Sequence, residues 1–141
     1  MGDQVKPTIF EKIEDADNYL SQNPDVVCVD IIEAQLKELA RILFVDIESL
    51  PQNLTRIVGV LYPGTRKLLK CLDEQASFLL RTNRNRELIS TEEQQILRST
   101  TVAVAGMSVG SGIALAMAYS GIANTIKIAD LDTLDTSNLN R

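Results

Sequence analysis

The 141-residue chain is 45% apolar, 23% charged and 4% aromatic, with 14 Lys and Arg against 19 Asp and Glu; that is length enough for one domain with its own core. It has no histidine and two cysteines, Cys28 and Cys71, which excludes a His-based catalytic triad, a Cys/His zinc site and a disulfide framework. No uncharged apolar run is long enough to span a bilayer, the N-terminus is polar where a signal peptide would be apolar, and the acidic balance disfavours a nucleic-acid binder. The expectation is a cytoplasmic chain with neither membrane nor nucleic acid as partner, and with no metal ligands of its own.

Charge is unevenly spread. Residues 1–48 carry 4 basic and 11 acidic side chains (net −7), residues 49–95 carry 7 and 5 (+2), and residues 96–141 carry 3 and 3 (zero). Two regions of different character are implied. The first clear helix spans about residues 26–44, where Ile32, Leu36, Leu39 and Leu43 recur at helical spacing, with Glu33–Lys37 and Glu38–Arg41 pairing on the other face. It ends before Leu50-Pro51. Ile57–Leu61 and Lys67–Leu72, joined by Tyr62-Pro63-Gly64-Thr65, read as a hairpin around a Pro-Gly turn. A helix follows over about 73–80, then a polar stretch containing Arg81, Arg84 and Arg86.

From residue 90 the pattern sharpens. Ser90-Thr91-Glu92-Glu93 is a capping box, with Ser90 as N-cap and Glu93 reaching back, opening a helix to about Arg98. Thr101–Ala105 reads as a short buried strand leading into a glycine loop over Gly106, Met107, Ser108, Val109, Gly110, Ser111 and Gly112. A helix over Ile113–Tyr119 follows, small enough at Gly112, Ala114, Ala116 and Ala118 to lie close against a sheet. Gly121 closes it, and a second apolar strand, Thr125–Ala129, ends at Asp130.

Strand, glycine loop, helix, strand and acidic residue, in that order, make the first unit of a dinucleotide-binding fold. Glycines let backbone N–H groups approach a phosphate, the helix N-terminus adds positive potential, and a carboxylate after the second strand accepts from ribose hydroxyls. The loop by itself fits either a phosphate cradle or a tight strand-to-helix turn. Gly106 and Gly110 are four apart where G-x-G-x-x-G puts its outer glycines five apart, and Met107 or Ser108 replaces the middle glycine.

The segment from Asp130 to Arg141 resembles the D-x-D-x-V-x-x-S-N-L-x-R signature of the ThiF/MoeB family, which includes the ubiquitin-activating (E1-like) enzymes. It matches at Asp130, Asp132, Ser137-Asn138-Leu139 and Arg141 without a gap. Asn85-Arg86-Glu87-Leu88-Ile89 similarly resembles the family's N-R-Q-I segment. The resemblance covers residues 81–141 and nothing before them, and implies an α/β fold class there, the start of a Rossmann-like, doubly wound ATP-binding domain; the preceding residues 1–80 read as a mostly helical α+β extension. The resemblance also implies ATP and Mg²⁺ as cofactors, and adenylation of the carboxylate of a small protein, peptide or small-molecule acceptor with release of pyrophosphate. Asp130 becomes the ribose ligand, and Asn138 and Arg141 position the triphosphate. Gly106, Ser108, Gly110 and Asp132 join the cofactor-binding set, and Arg86, or alternatively Arg84, reaches a γ-phosphate across a homodimer formed through the ThiF-like domain.

Blander roles stand beside these. Asp130 could cap the next turn, Asp132 and Asp135 could be solvated turn residues, Ser137 and Asn138 could cap a helix, and Arg84 and Arg86 could be surface charges. The two cysteines read as buried free thiols, and Met107 and Met117 as core residues. The family pattern continues past Arg141, with a catalytic lysine, a further aspartate and often C-x-x-C pairs. The expectation is therefore an N-terminal piece of a longer protein, incapable of catalysis by itself, and the loop variant resembles a branch in which a nitroreductase-like domain follows. Alternative functions are a non-catalytic nucleotide-binding or dimerisation module and an NAD- or FAD-binding oxidoreductase domain.

Overall fold

The computed structural model describes residues 6–133 and residue 136, and the chain divides into two compact units, residues 1–80 and 81–141. In the first, strands β1 (Thr8–Phe10), β2 (Val27–Asp30), β3 (Ile57–Tyr62) and β4 (Lys67–Leu72) form one sheet in the order β1-β3-β4-β2. β3 and β4 are the expected hairpin, antiparallel with Tyr62 opposite Lys67, and the turn between them is a single 3-10 turn over Pro63–Thr65. β1 pairs antiparallel with β3, and β2 pairs parallel with β4.

The helix expected over 26–44 is two elements. Val27–Asp30 is strand β2, and helix α2 begins at Ile32 and runs to Leu43. The β-branched Val27 and Val29 suit an extended backbone, and the Asp30 carboxylate accepts from the Ile32 N–H at 2.9 Å, turning the chain from strand into helix. On the exposed face of α2 both expected pairs form, Lys37–Glu33 at 2.5 Å and Arg41–Glu38 at 3.8 Å. Strand β1 and helix α1 (Ile13–Gln22) were not expected from local pattern; helix α3 runs from Glu74 to Thr82.

The helices cover one face of the sheet. Ala16 of α1, Leu61 and Leu68 form one buried cluster, joined by Phe10 and Tyr19, whose ring centroids lie 5.4 Å apart. Leu39 and Ala40 of α2, Leu50, Leu72 and Ala76 of α3 form the other. Gly59 permits the closest approach: a Cβ there would sit 2.6 Å from the Ala16 Cβ. Two Cβ atoms fixed to backbone cannot share that space, so Gly59→Ala is expected to cost about 2 kcal/mol; an unchanged urea midpoint would show that α1 does not lie this close. Cys71 is buried, and burial pushes its thiol up. Cys28 lies on edge strand β2 and is exposed, contrary to the expectation of two buried thiols.

In the second unit, helix α4 (Thr91–Ser99) opens on the expected capping box. The Ser90 N–H donates to Glu93 Oε2 at 2.7 Å and the Glu93 N–H to Ser90 Oγ at 3.2 Å. Strands β5 (Thr101–Ala105) and β6 (Thr125–Ala129) have the expected bounds and pair parallel, Thr101 opposite Thr125 and Ala105 opposite Ala129. β5 is not buried as expected: Val102 and Val104 are half-buried, and Thr101, Ala103 and Ala105 are exposed. One helix covers only one face of a strand pair.

Helix α5 starts at Met107, not Ile113, and runs to Ser120, closed by Gly121 at φ 71°. The expected glycine loop is thus one residue, Gly106, with Ser108, Gly110 and Gly112 already helical. Close approach to the sheet is made by Gly110, which is buried, and not by Gly112, Ala116 and Ala118, which are exposed. Met107, Ala114 and Met117 continue the Gly110 stripe at helical spacing and are half-buried, so neither methionine is fully in the core.

Candidate functional site

The parallel register brings the C-terminal ends of β5 and β6 side by side, so Gly106 and Asp130 are neighbours at the same edge. The Gly106 N–H donates to the Ala129 carbonyl at 2.9 Å, extending the ladder by one bond. Gly106 has φ 84°, a conformation that favours glycine, and a Cβ there would meet nothing within 4 Å. The residue is needed for its backbone, and the space before α5 is open.

Asp130 joins the two ends. Its Oδ2 accepts from the Met107 N–H at 2.5 Å, and its Oδ1 accepts from the Asp132 N–H at 3.0 Å. The amide of Asp132 and then that of Met107 hold this exposed carboxyl below its ordinary range. A helix leaves its first N–H groups without intrahelical partners; in α5 that of Met107 goes to the ionised Asp130 carboxylate, which leaves those that follow it in the first turn. An arrangement with anion-seeking amides on one side and a hydroxyl-seeking carboxylate on the other suits a sugar phosphate.

The remaining expected residues are placed as follows. Ser108 is exposed in the first turn of α5. Gly110 faces the sheet, where a Cβ would be 2.7 Å from Val104 Cγ1, so its place is helix–strand packing. Asp132 is exposed and takes part through its N–H. Asp135, Ser137, Asn138 and Arg141 lie outside the described residues. Among the described residues, no group of three or more His, Cys, Asp or Glu could hold a metal ion.

Arg84 and Arg86 are exposed on a 3-10 turn over Asn83–Glu87. That turn is tied down by a side chain for which sequence reasoning assigned no role: Asn85 Nδ2 donates to Gln94 Oε1 at 2.6 Å and to the Ser120 carbonyl at 2.9 Å. Gln94, 6% exposed, donates in turn to the Gly121 carbonyl at 3.1 Å. The signal available was a glutamine on the inner face of a short amphipathic helix. Ser120 and Gly121 close α5, whereas Asp130 sits at its start; fourteen residues at about 1.5 Å each separate the two by roughly 20 Å. The turn that carries Arg86 is therefore at the far end of the helix from Asp130.

Residues 80–141 match the ThiF family. The chain is 34% identical over 122 residues to a protein of Mycobacterium tuberculosis (strain CDC 1551 / Oshkosh) named "Uncharacterized protein MT1398", a match covering 86% of this chain and 17% of the relative. The chain thus spans about a sixth of the length of that relative. No solved structure matches. Among the described residues, no helix is long and apolar enough to cross a membrane.

Proposed function

With residues 80–141 as the N-terminal portion of a ThiF-family, E1-like domain related to the adenylyltransferases, we propose that they form the nucleotide-binding edge of an enzyme that activates a carboxylate. The acceptor is a small protein, a peptide or a small molecule. The observation that carries this reading is the Asp130 carboxylate beside the first amides of α5. Asp130 would hold the ribose hydroxyls, and the first-turn amides, including that of Ser108, would face the phosphates. Asn138 and Arg141 would position the triphosphate. Arg86, on the turn that Asn85 and Gln94 hold at the other end of α5, would act on the site of a second copy. The residues present fit a nucleotide; Mg²⁺, for which the described residues provide no ligand cluster, would be held with the triphosphate.

ATP supplies the adenylyl group: an acceptor carboxylate oxygen bonds to the α-phosphorus as the bond to the pyrophosphate oxygen breaks. The chain's own part is to fix the ribose, align the α-phosphate and neutralise charge on the departing pyrophosphate with guanidinium groups.

Calorimetry tests the site. ATP should bind in preference to NAD, and Asp130→Ala should weaken ATP by about tenfold or more, the scale of a hydrogen bond to a charged group. It should barely change binding of 2′,3′-dideoxy-ATP, which lacks the hydroxyls. An equal loss with both nucleotides would remove Asp130 from the ribose, and NAD binding without ATP binding would overturn the reading. The pH dependence follows in sign. Because the folded carboxyl titrates below its ordinary value, its contribution to stability is fully present above the unfolded value. It is lost as pH falls through the lower folded value. Asp130→Asn should flatten that acid limb.

A further inference from the structure

The face of the four-stranded sheet opposite Leu61, Leu68 and Leu72 is open across its middle. Register and alternation place Ile9, Val60, Leu69 and Val29 in one apolar row across its middle, one residue per strand. Ile9 is 58% exposed and Val29 37%. The two ends of this face differ. At one end Tyr62 and Lys67 are cross-strand neighbours, and Tyr62 stands 42% exposed. At the other, beside the first turn of α3, a groove of about 450 Å³ lies over Val58 and Cys71, which are 6% and 8% exposed, and is edged by Asp73, Glu74 and Arg56 with its ion-pair partner Glu11.

We propose that this face pairs with the same face of a second copy of the chain, about a two-fold axis that crosses the strands over the Val60 row. Such an axis lays each strand over its own counterpart and reverses its direction. Tyr62 lies two residues to one side of Val60 on β3 and Val58 two residues to the other. The rotation therefore carries Tyr62 of one copy onto Val58 of the other, into the groove. The same rotation carries Lys67 onto Cys71, beside Asp73 and Glu74. A protruding ring meets a hollow and a cation meets carboxylates, each twice, and the apolar row stacks on itself, as an isologous interface requires. A two-fold axis along the strands would instead set the acidic end against itself. Four strands about 4.8 Å apart and six residues of about 3.3 Å rise give at most roughly 400 Å² per face. That is half the ~800 Å² per partner of a standard interface, so the dimer is of the weak, concentration-dependent class. The inference concerns residues 1–80 only and does not depend on the nucleotide site.

Sedimentation of the full chain tests it. The mass should rise with concentration from 15.6 kDa toward twice that value. Lys67→Glu and Glu74→Lys should each weaken association by about tenfold or more, because each sets like charges face to face at two symmetric contacts. An equal mixture of the two variants should recover wild-type association, since each introduced charge then meets its opposite in the other chain; an unfolded variant could not do this. Tyr62→Ala should weaken association with unchanged far-UV circular dichroism. A chain that stays monomeric at millimolar concentration would overturn the proposal. So would association indifferent to both charge variants, or a mixture no tighter than either variant alone.

Discussion

Gly110→Leu is expected to lift α5 from β5 at a cost of about 3 kcal/mol, whereas Gly112→Ala, two residues on, should stabilise the same helix by about 1 kcal/mol. Only tertiary position separates the two glycines. A Cβ at Gly110 would already stand 2.7 Å from Val104 Cγ1, and a Cβ at Gly112 would meet nothing within 4 Å. Overpacking costs dominate at the first site, and the helix propensity of Ala over Gly at the second. Amide hydrogen exchange along α5 reads both, and equal protection in the two variants would contradict the packing described. Because α5 presents its first amides to Asp130, Gly110→Leu should also abolish ATP binding under conditions where Gly112→Ala leaves it intact.

Leu68→Ala should remove about 2–5 kcal/mol from the first unit. Leu68 is 0% exposed on β4, between β3 and β2, and belongs to the cluster with Ala16 and Leu61. Truncation leaves a cavity that sheet and helix cannot both close. A unit of some 80 residues has stability on the order of 5–10 kcal/mol, so this one change takes up a large part of it. Urea unfolding measures the loss, with Leu88→Ala as control, since Leu88 is 85% exposed. A loss below about 1 kcal/mol would mean that Leu68 is not packed as described.

What could be read directly from residue order was local. The capping box at Ser90 and Glu93, the hairpin at Pro63-Gly64 and the stop at Gly121 each depend on neighbours within a few residues. Hydrogen-bonding and backbone preferences at that range act before any fold exists. Asp130 was legible for a related reason: its place follows from the end of a strand with clear bounds. Val27–Asp30 was misread because a short β-branched run in front of an amphipathic helix extends the helical pattern. It becomes a strand only by pairing with β4, about forty residues on in the chain. β1 and α1 were missed because a three-residue strand and a largely polar helix have weak patterns, and their burial depends on Gly59 lying under Ala16.

The sequence by itself thus determined the ThiF-like order of elements, the carboxylate at its second strand end, and the absence of histidine and disulfide chemistry. Tertiary structure alone decided that Gly110 packs while Gly106 turns, and that Asn85 and Gln94 hold the Arg86 turn at the opposite end of α5 from Asp130. It also decided that one face of the first sheet stays open across its middle. The physical reason is range. Caps and turns are settled by groups a few residues apart, whereas contact between a helix and a sheet is settled by volumes and polar groups that only the folded chain brings together.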